Sequence, residues 1–242
     1  MKLRGFAVAA ATLFSVGAHA QSAGDLVANV GWFHVAPQDS SKPLTVNALG
    51  STVTAAGSGA SVESSDTFGL TLTYFITDHF ATEAVLGVPP KMHLDGTGTL
   101  SSLGEIGSAY EWSPTLLFKY YFNDPQSHFR PYVGAGGSYV WYSGVKLSSA
   151  MSSGSFLYSS TYGTALEGTT TAKLSSSFAP VINAGFAWNF DKHWSANVSL
   201  SYMWLSTRAT LTTHSAVAGT VTSSTKLKVN PIVSFVSVGY RF

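Results

Sequence analysis

The side chains best equipped for chemistry are the histidines, and they are scattered. His34, His79, His93, His128, His193 and His214 include no pair with metal-ligand spacing on one strand face, so no metal site is expected. His193-Trp194-Ser195 sets an imidazole near a hydroxyl, the side-chain types of a general base and a nucleophile. Gly134-Ala135-Gly136-Gly137 falls inside a strand with no helix after it, so it is no phosphate loop. Glycine there relieves crowding where a wall bends. No catalytic residue and no cofactor is expected, and the chain is not read as an enzyme. Its function must then lie in the surfaces its elements present.

The most informative surface is the last. In residues 230–242, Phe242, Tyr240, Val238, Val236 and Ile232 fall on one parity, and Arg241, Gly239, Ser237, Phe235 and Val233 on the other. A strand sends alternate side chains to opposite faces, so this is a ribbon with one apolar and one mixed face. Such an edge invites aggregation in water. In a barrel closed within lipid it seals to the first strand and turns its apolar face to acyl chains. Val238, Tyr240 and Phe242 are the expected insertion signal for the barrel-assembly machinery.

Composition agrees. Charged residues are 10% of the 242 and aromatics 13%, whereas about 25% charged is usual for a soluble domain. Residues 1–20 read as a secretory signal peptide: Lys2 and Arg4, an apolar run from Phe6 to Gly17, then Ala18-His19-Ala20 as the cleavage site. The predicted mature chain starts at Gln21. Of the 13 basic residues, Lys2 and Arg4 leave with that segment, so 11 face 12 acidic ones, too even a balance for a nucleic-acid partner. The chain has no cysteine, and a closed ladder needs no disulfide.

Eight strands are predicted, over 26–36, 67–76, 80–88, 112–122, 130–142, 178–190, 194–205 and the terminal stretch. Three short turns, 76–80, 122–129 and 190–194, alternate with four long Ser/Thr/Gly-rich connections near 37–66, 89–111, 143–177 and 206–227. The predicted class is all-β: an eight-stranded antiparallel transmembrane β-barrel, with short periplasmic turns and long extracellular loops. Residues 21–242 form this one domain, placed in the bacterial outer membrane of a Gram-negative envelope. Aromatics beside the short turns make the inner girdle.

LVANVGWFHVAPQDSS, the block from Ser113 to Tyr139 (SPTLLFKYYFNDPQSHFRPYVGAGGSY), NFDKHWSANVSLSY and VNPIVSFVSVGYRF resemble the OmpW family of outer-membrane proteins. The resemblance covers all eight strands and leaves out most of the long loops, which are longer and richer in Ser, Thr and Gly. It implies an eight-stranded barrel, porin-like in setting, associated with passage of small hydrophobic molecules. His193-Trp194-Ser195 is also similar to the His-x-Ser of outer-membrane lipid A deacylases. It lies at the short-turn end, away from the leaflet that holds lipid A, which disfavours an esterase.

An eight-stranded barrel encloses room only for side chains or one small ligand. With both chain ends periplasmic, the inward residues sort by height. Asn29, Glu83, Lys119, Arg130, Asn197 and Arg241, with Tyr121, Tyr132 and Asn189, form a lower polar plug. Phe33, Val35, Val85, Leu117, Val140, Tyr142, Met203, Leu205, Val233 and Phe235 form an upper apolar lumen. A solute entering from outside meets a closed floor and must leave sideways. Pro114, Pro180 and Pro231, near the starts of strands on the loop side, donate no rung and are candidates for that lateral gap. The expected partners are outer-membrane lipids and lipopolysaccharide, the assembly machinery and small hydrophobic solutes. The alternative function is a structural, adhesive or receptor barrel acting through its loops.

Overall fold

The computed structural model describes residues 21–48, 50–159 and 163–242. The expected signal segment lies outside the described residues. Eight strands build the wall: β1 (Leu26–Ala36), β2 (Ser65–Phe75), β3 (Phe80–Gly87), β4 (Thr115–Tyr121), β5 (Phe129–Leu147), β6 (Ser177–Asn189), β7 (Trp194–Met203) and β8 (Ile232–Arg241). Each pairs antiparallel with the next, and β8 returns to β1 with Val30 opposite Val238 and Phe33 opposite Phe235. The sheet therefore closes into a barrel.

The terminal ribbon and its neighbours turn their apolar parity outward. Leu116, Phe118 and Tyr120 are exposed, while Leu117 and Lys119 between them are buried. Phe68 and Phe242 are 71% and 73% exposed, values that suit acyl chains and not water. At the short-turn end Phe80, Tyr120 and Phe122 meet edge to face, with centroids 5.0 and 5.1 Å apart, and Trp194, Tyr240 and Phe242 repeat the arrangement. The turn between β6 and β7 is closed by Asp191, whose Oδ1 accepts from the backbone N–H of His193 and Trp194 at 2.7 and 2.8 Å. Those two donors hold its carboxyl below the usual range.

Two expectations change. The fourth strand begins at Thr115, not at residue 112, because Ser113-Pro114 interrupts it. Trp112 belongs instead to a separate strand, Glu105–Trp112. The long connections, predicted as loops, are themselves largely sheet. Lys91–Gly98, Glu105–Trp112 and Ser58–Val62 extend the wall above the top of β5, which runs on to Leu147. Ser206–Ser215, Gly219–Lys228, Gly168–Leu174, Leu44–Ala48 and Ser51–Ala55 form a second sheet. Threonine is β-branched and suits a strand, so a Thr-rich segment such as 210–213 is not coil by composition. The inner faces bury Leu44, Met151 and Leu211 in one cluster and Leu157, Leu166, Ala218 and Val221 in another. The result is a β-walled cap above the membrane. Among the described residues helix is limited to Ser149–Ser152 and a 3-10 turn at Ser101–Leu103.

Candidate functional site

The barrel floor is a connected polar belt. Glu83 on β3 and Lys119 on β4 form a buried ion pair, Oε1 to Nζ 2.6 Å. Thr73, opposite Glu83 in register, donates to Oε2 at 2.7 Å, and Thr71 approaches it at 3.4 Å. Asn29 donates to Thr71 at 2.9 Å, and Asn197 to Asn29 at 2.8 Å. The Lys119 ammonium also sits 4.3 Å from the centre of the Tyr132 ring. The belt thus runs from β7 through β1, β2, β3 and β4 to β5. Buried charges persist only when paired and hydrogen-bonded, and this pair has both.

Below it, the fully buried Arg130 lies beside the faces of Phe75 and Tyr121, 5.5 and 5.2 Å from their centres. Its guanidinium donates to the carbonyls of Gln21 and Asp78. Arg241 stands at the rim, not in the belt. It donates to Asp25 at 3.0 Å, closing the chain's two ends together. Asp25 was not foreseen because it precedes the first strand and its partner is 216 residues away. Thr71 and Thr73, on the buried parity of β2, join the belt beyond the residues predicted for the plug. Glycines leave room for these groups: a Cβ at Gly239 would run into Asn29 and Ser195, and one at Gly185 into the Tyr132 hydroxyl.

Above the belt lies a cavity of about 420 Å³. Seven of the ten predicted lumen residues line it: Phe33, Val35, Val85, Leu117, Met203, Val233 and Phe235. Phe33 and Phe235 stack with centroids 3.9 Å apart, and Gly69 makes space for the Phe33 ring. The other three lie elsewhere. Val140 and Leu205 are fully buried and fill one side, packed with Ala179, Val181 and Val229. Tyr142 lines a cavity of about 20 Å³ above the first. The upper lumen is therefore part open and part filled.

The cavity reaches the wall between β3 and β4. The last pair across that seam is Val85 with Thr115. Beyond it Leu86 and Gly87 still pair with β2 but have no partner on the β4 side. Leu86–Pro90 and Trp112–Thr115 border the cavity there. Pro114 has no N–H to give, and its carbonyl accepts from Tyr139 at 3.2 Å on the far side. The other two prolines do not open the wall. Pro180 sits opposite Gly137 in a ladder that continues to Val140 and Ser177, and its carbonyl accepts from Trp204. Pro231 is fully buried and faces the cavity, not the lipid.

Glu111 was missed. It stands one residue beyond Trp112, which stacks on Trp141 at 5.8 Å, and it belongs to the strand that rises into the cap. Its side chain is buried between the two cavities. Burial pushes its carboxyl up to about 7, against the opposing effect of the Tyr142 hydroxyl. Residue 111 closes a long connection, where a single glutamate gives no signal beyond its parity with Trp112. A third cavity, of about 80 Å³, lies higher in the cap between Leu44, Leu94, Ile106 and Leu211.

The residues weighed for catalysis do not converge. Ser195 points into the belt and accepts from Asn197 at 3.4 Å, while the His193 ring stacks on outward Tyr240 at 5.6 Å. His34 pairs with Asp66 and His93 with Glu105, both exposed. Gly134 and Gly136 lie where a Cβ would press on the backbone of β4, and Gly137 where it would press on Phe178.

Eight strands closed on themselves, an apolar exterior with aromatic girdles and a polar floor define an outer-membrane β-barrel. The chain belongs to the OmpW family, whose model matches residues 22–242. It is 35% identical over 242 residues to outer membrane protein W of Vibrio cholerae, covering 98% of this chain and 97% of that one. It is 22% identical over 191 residues to the dibenzothiophene metabolism operon protein PahQ of Pseudomonas aeruginosa, covering 76% of each. The crystal structure of the outer membrane protein OprG from Pseudomonas aeruginosa superposes with a TM-score of 0.79 at 26% identity, covering 93% of this chain and 99% of that one. The chain is an outer-membrane protein, and its strands span the bilayer.

Proposed function

We propose that the barrel passes small hydrophobic molecules from the cap into its lumen and then sideways into the membrane. The observation that carries this reading is the continuity of one cavity, from the apolar upper lumen to the unpaired seam between β3 and β4. The belt of Glu83, Lys119, Asn29 and Asn197 closes the way down, so an apolar solute leaves through the seam. Leaving sideways never exposes it to the aqueous periplasm, and the transfer is favoured by apolar burial. Small ligands are held in cavities of about 300–1,000 Å³, a range that includes this lumen. Bilayer lipid and lipopolysaccharide acyl chains meet the exterior, and Val238, Tyr240 and Phe242 serve the assembly machinery as the insertion signal. PahQ, by its name, belongs to the metabolism of an apolar aromatic compound, which supports the same solute class here.

Replacing Leu117 and Met203 with aspartate tests the reading. Uptake of an apolar probe such as octane is expected to be lost while the barrel still assembles, read by the gel shift between unboiled and boiled samples. Uptake unchanged in that double variant would contradict it.

A further inference from the structure

We propose that Glu111 makes the pathway selective for apolar molecules that carry one primary ammonium group, over those that carry a carboxylate. The inference rests on the transport reading above and names its favoured substrate class.

Three observations carry it. The Glu111 side chain borders both the lumen cavity and the small cavity above it, so its carboxyl stands at the upper end of the lumen. It is 4% exposed, yet no Lys, Arg or His pairs with it among the described residues. Glu83, the other carboxyl bordering the lumen, has its charge met by Lys119 and accepts from Thr73. A buried carboxyl without a counter-ion is costly unless it is neutral or gains a partner. The groups around Glu111 supply no positive charge: the small cavity is walled by Met92, Leu94, Leu227 and Val229, and Tyr142 and Thr207 bring only neutral hydroxyls.

An alkylammonium meets that deficit. Its head supplies the absent positive charge and three N–H donors, and its chain lies against the apolar wall. An alkylcarboxylate brings a second negative charge to the same place, where like charges repel. Tyr142 on β5 is the titratable neighbour, and below the cavity the Glu83–Lys119 pair is neutral as a unit. Neither offers a carboxylate a net positive charge.

The test uses the full-length barrel in lipid nanodiscs. Trp112 and Trp141 border the lumen cavity, so their fluorescence reports entry of octane, octylamine or octanoate. Wild type is expected to bind octylamine about tenfold more tightly than octanoate, the scale of one charge-assisted hydrogen bond. In Glu111→Gln that preference is expected to shrink to about twofold or less. Equal preference in wild type and Glu111→Gln overturns the inference, as does wild type with no preference. Wild-type binding of octane together with either of those results leaves the lumen reading standing, whereas failure of octane to bind wild type strikes the lumen reading itself. A second measurement needs no variant. In infrared difference spectra, octylamine is expected to convert a carboxylic-acid band of wild type to carboxylate, and octane is not. No such change with octylamine overturns the assignment.

Discussion

At the scale of single residues, the floor depends on one buried ion pair. Glu83 and Lys119 are each nearly inaccessible, and among the described residues each is the other's only charged partner within 4.0 Å. Removing one partner leaves the other uncompensated, which costs about 3–5 kcal/mol. Lys119→Met is therefore expected to lower stability by about that amount in urea unfolding in detergent. Glu83→Gln combined with Lys119→Met should recover most of the loss, because replacing both partners removes the stranded charge. A double variant as unstable as the single would mean that the belt's hydrogen bonds, not its charges, dominate. The inward facing of Asn29, Glu83, Lys119 and Asn197 could be read from sequence because parity follows from alternation. Their partners could not. Asp25 meets Arg241 only when the ends of the chain close, and Arg130 is satisfied by backbone carbonyls that have no side-chain signature.

At the scale of elements, the seam between β3 and β4 is where sequence and structure part most usefully. The three prolines stand near strand starts, and Pro114 is the one beside the stretch where β3 has lost its β4 partner. Proline marks a missing donor, but whether a rung is missing depends on the strand across from it. Opposite Pro180 the ladder continues, and Pro231 is buried. Pro114 fixes its own φ and restricts Ser113, and both residues border the cavity at the seam. Pro114→Ala frees that backbone and is expected to reduce apolar uptake several-fold, while Pro180→Ala leaves it near the wild-type rate. Equal rates in all three would remove Pro114 from the gate. The cap is the other element lesson. Serine and threonine runs read as loops by polarity, yet their alternate residues Leu211, Val221 and Leu227 are buried, and threonine is at home in a strand.

At the scale of the whole molecule, the barrel class was legible because lipid reverses the usual rule. The apolar parity of every wall strand is outside, and the count of short and long connections sets which end is which. The cavity was not legible, since inward apolar residues line or fill a lumen according to how Val140 and Leu205 pack against their neighbours. The mature chain is expected to begin at Gln21, whose backbone carbonyl accepts from Arg130 at 2.6 Å. The mass of the purified barrel checks this, and a mass that retains residues 1–20 would contradict it.

Solutes are predicted to leave through the β3–β4 seam. Gly87 and Ser113 border the cavity on either side of it, and the chain has no cysteine of its own. Gly87→Cys with Ser113→Cys can therefore be bridged selectively by a short bifunctional thiosulfonate and released by a reductant. Octane uptake is predicted to fall to the level of cells lacking the protein when the bridge forms, and to return on reduction. Uptake that persists through a fully bridged seam would contradict the account.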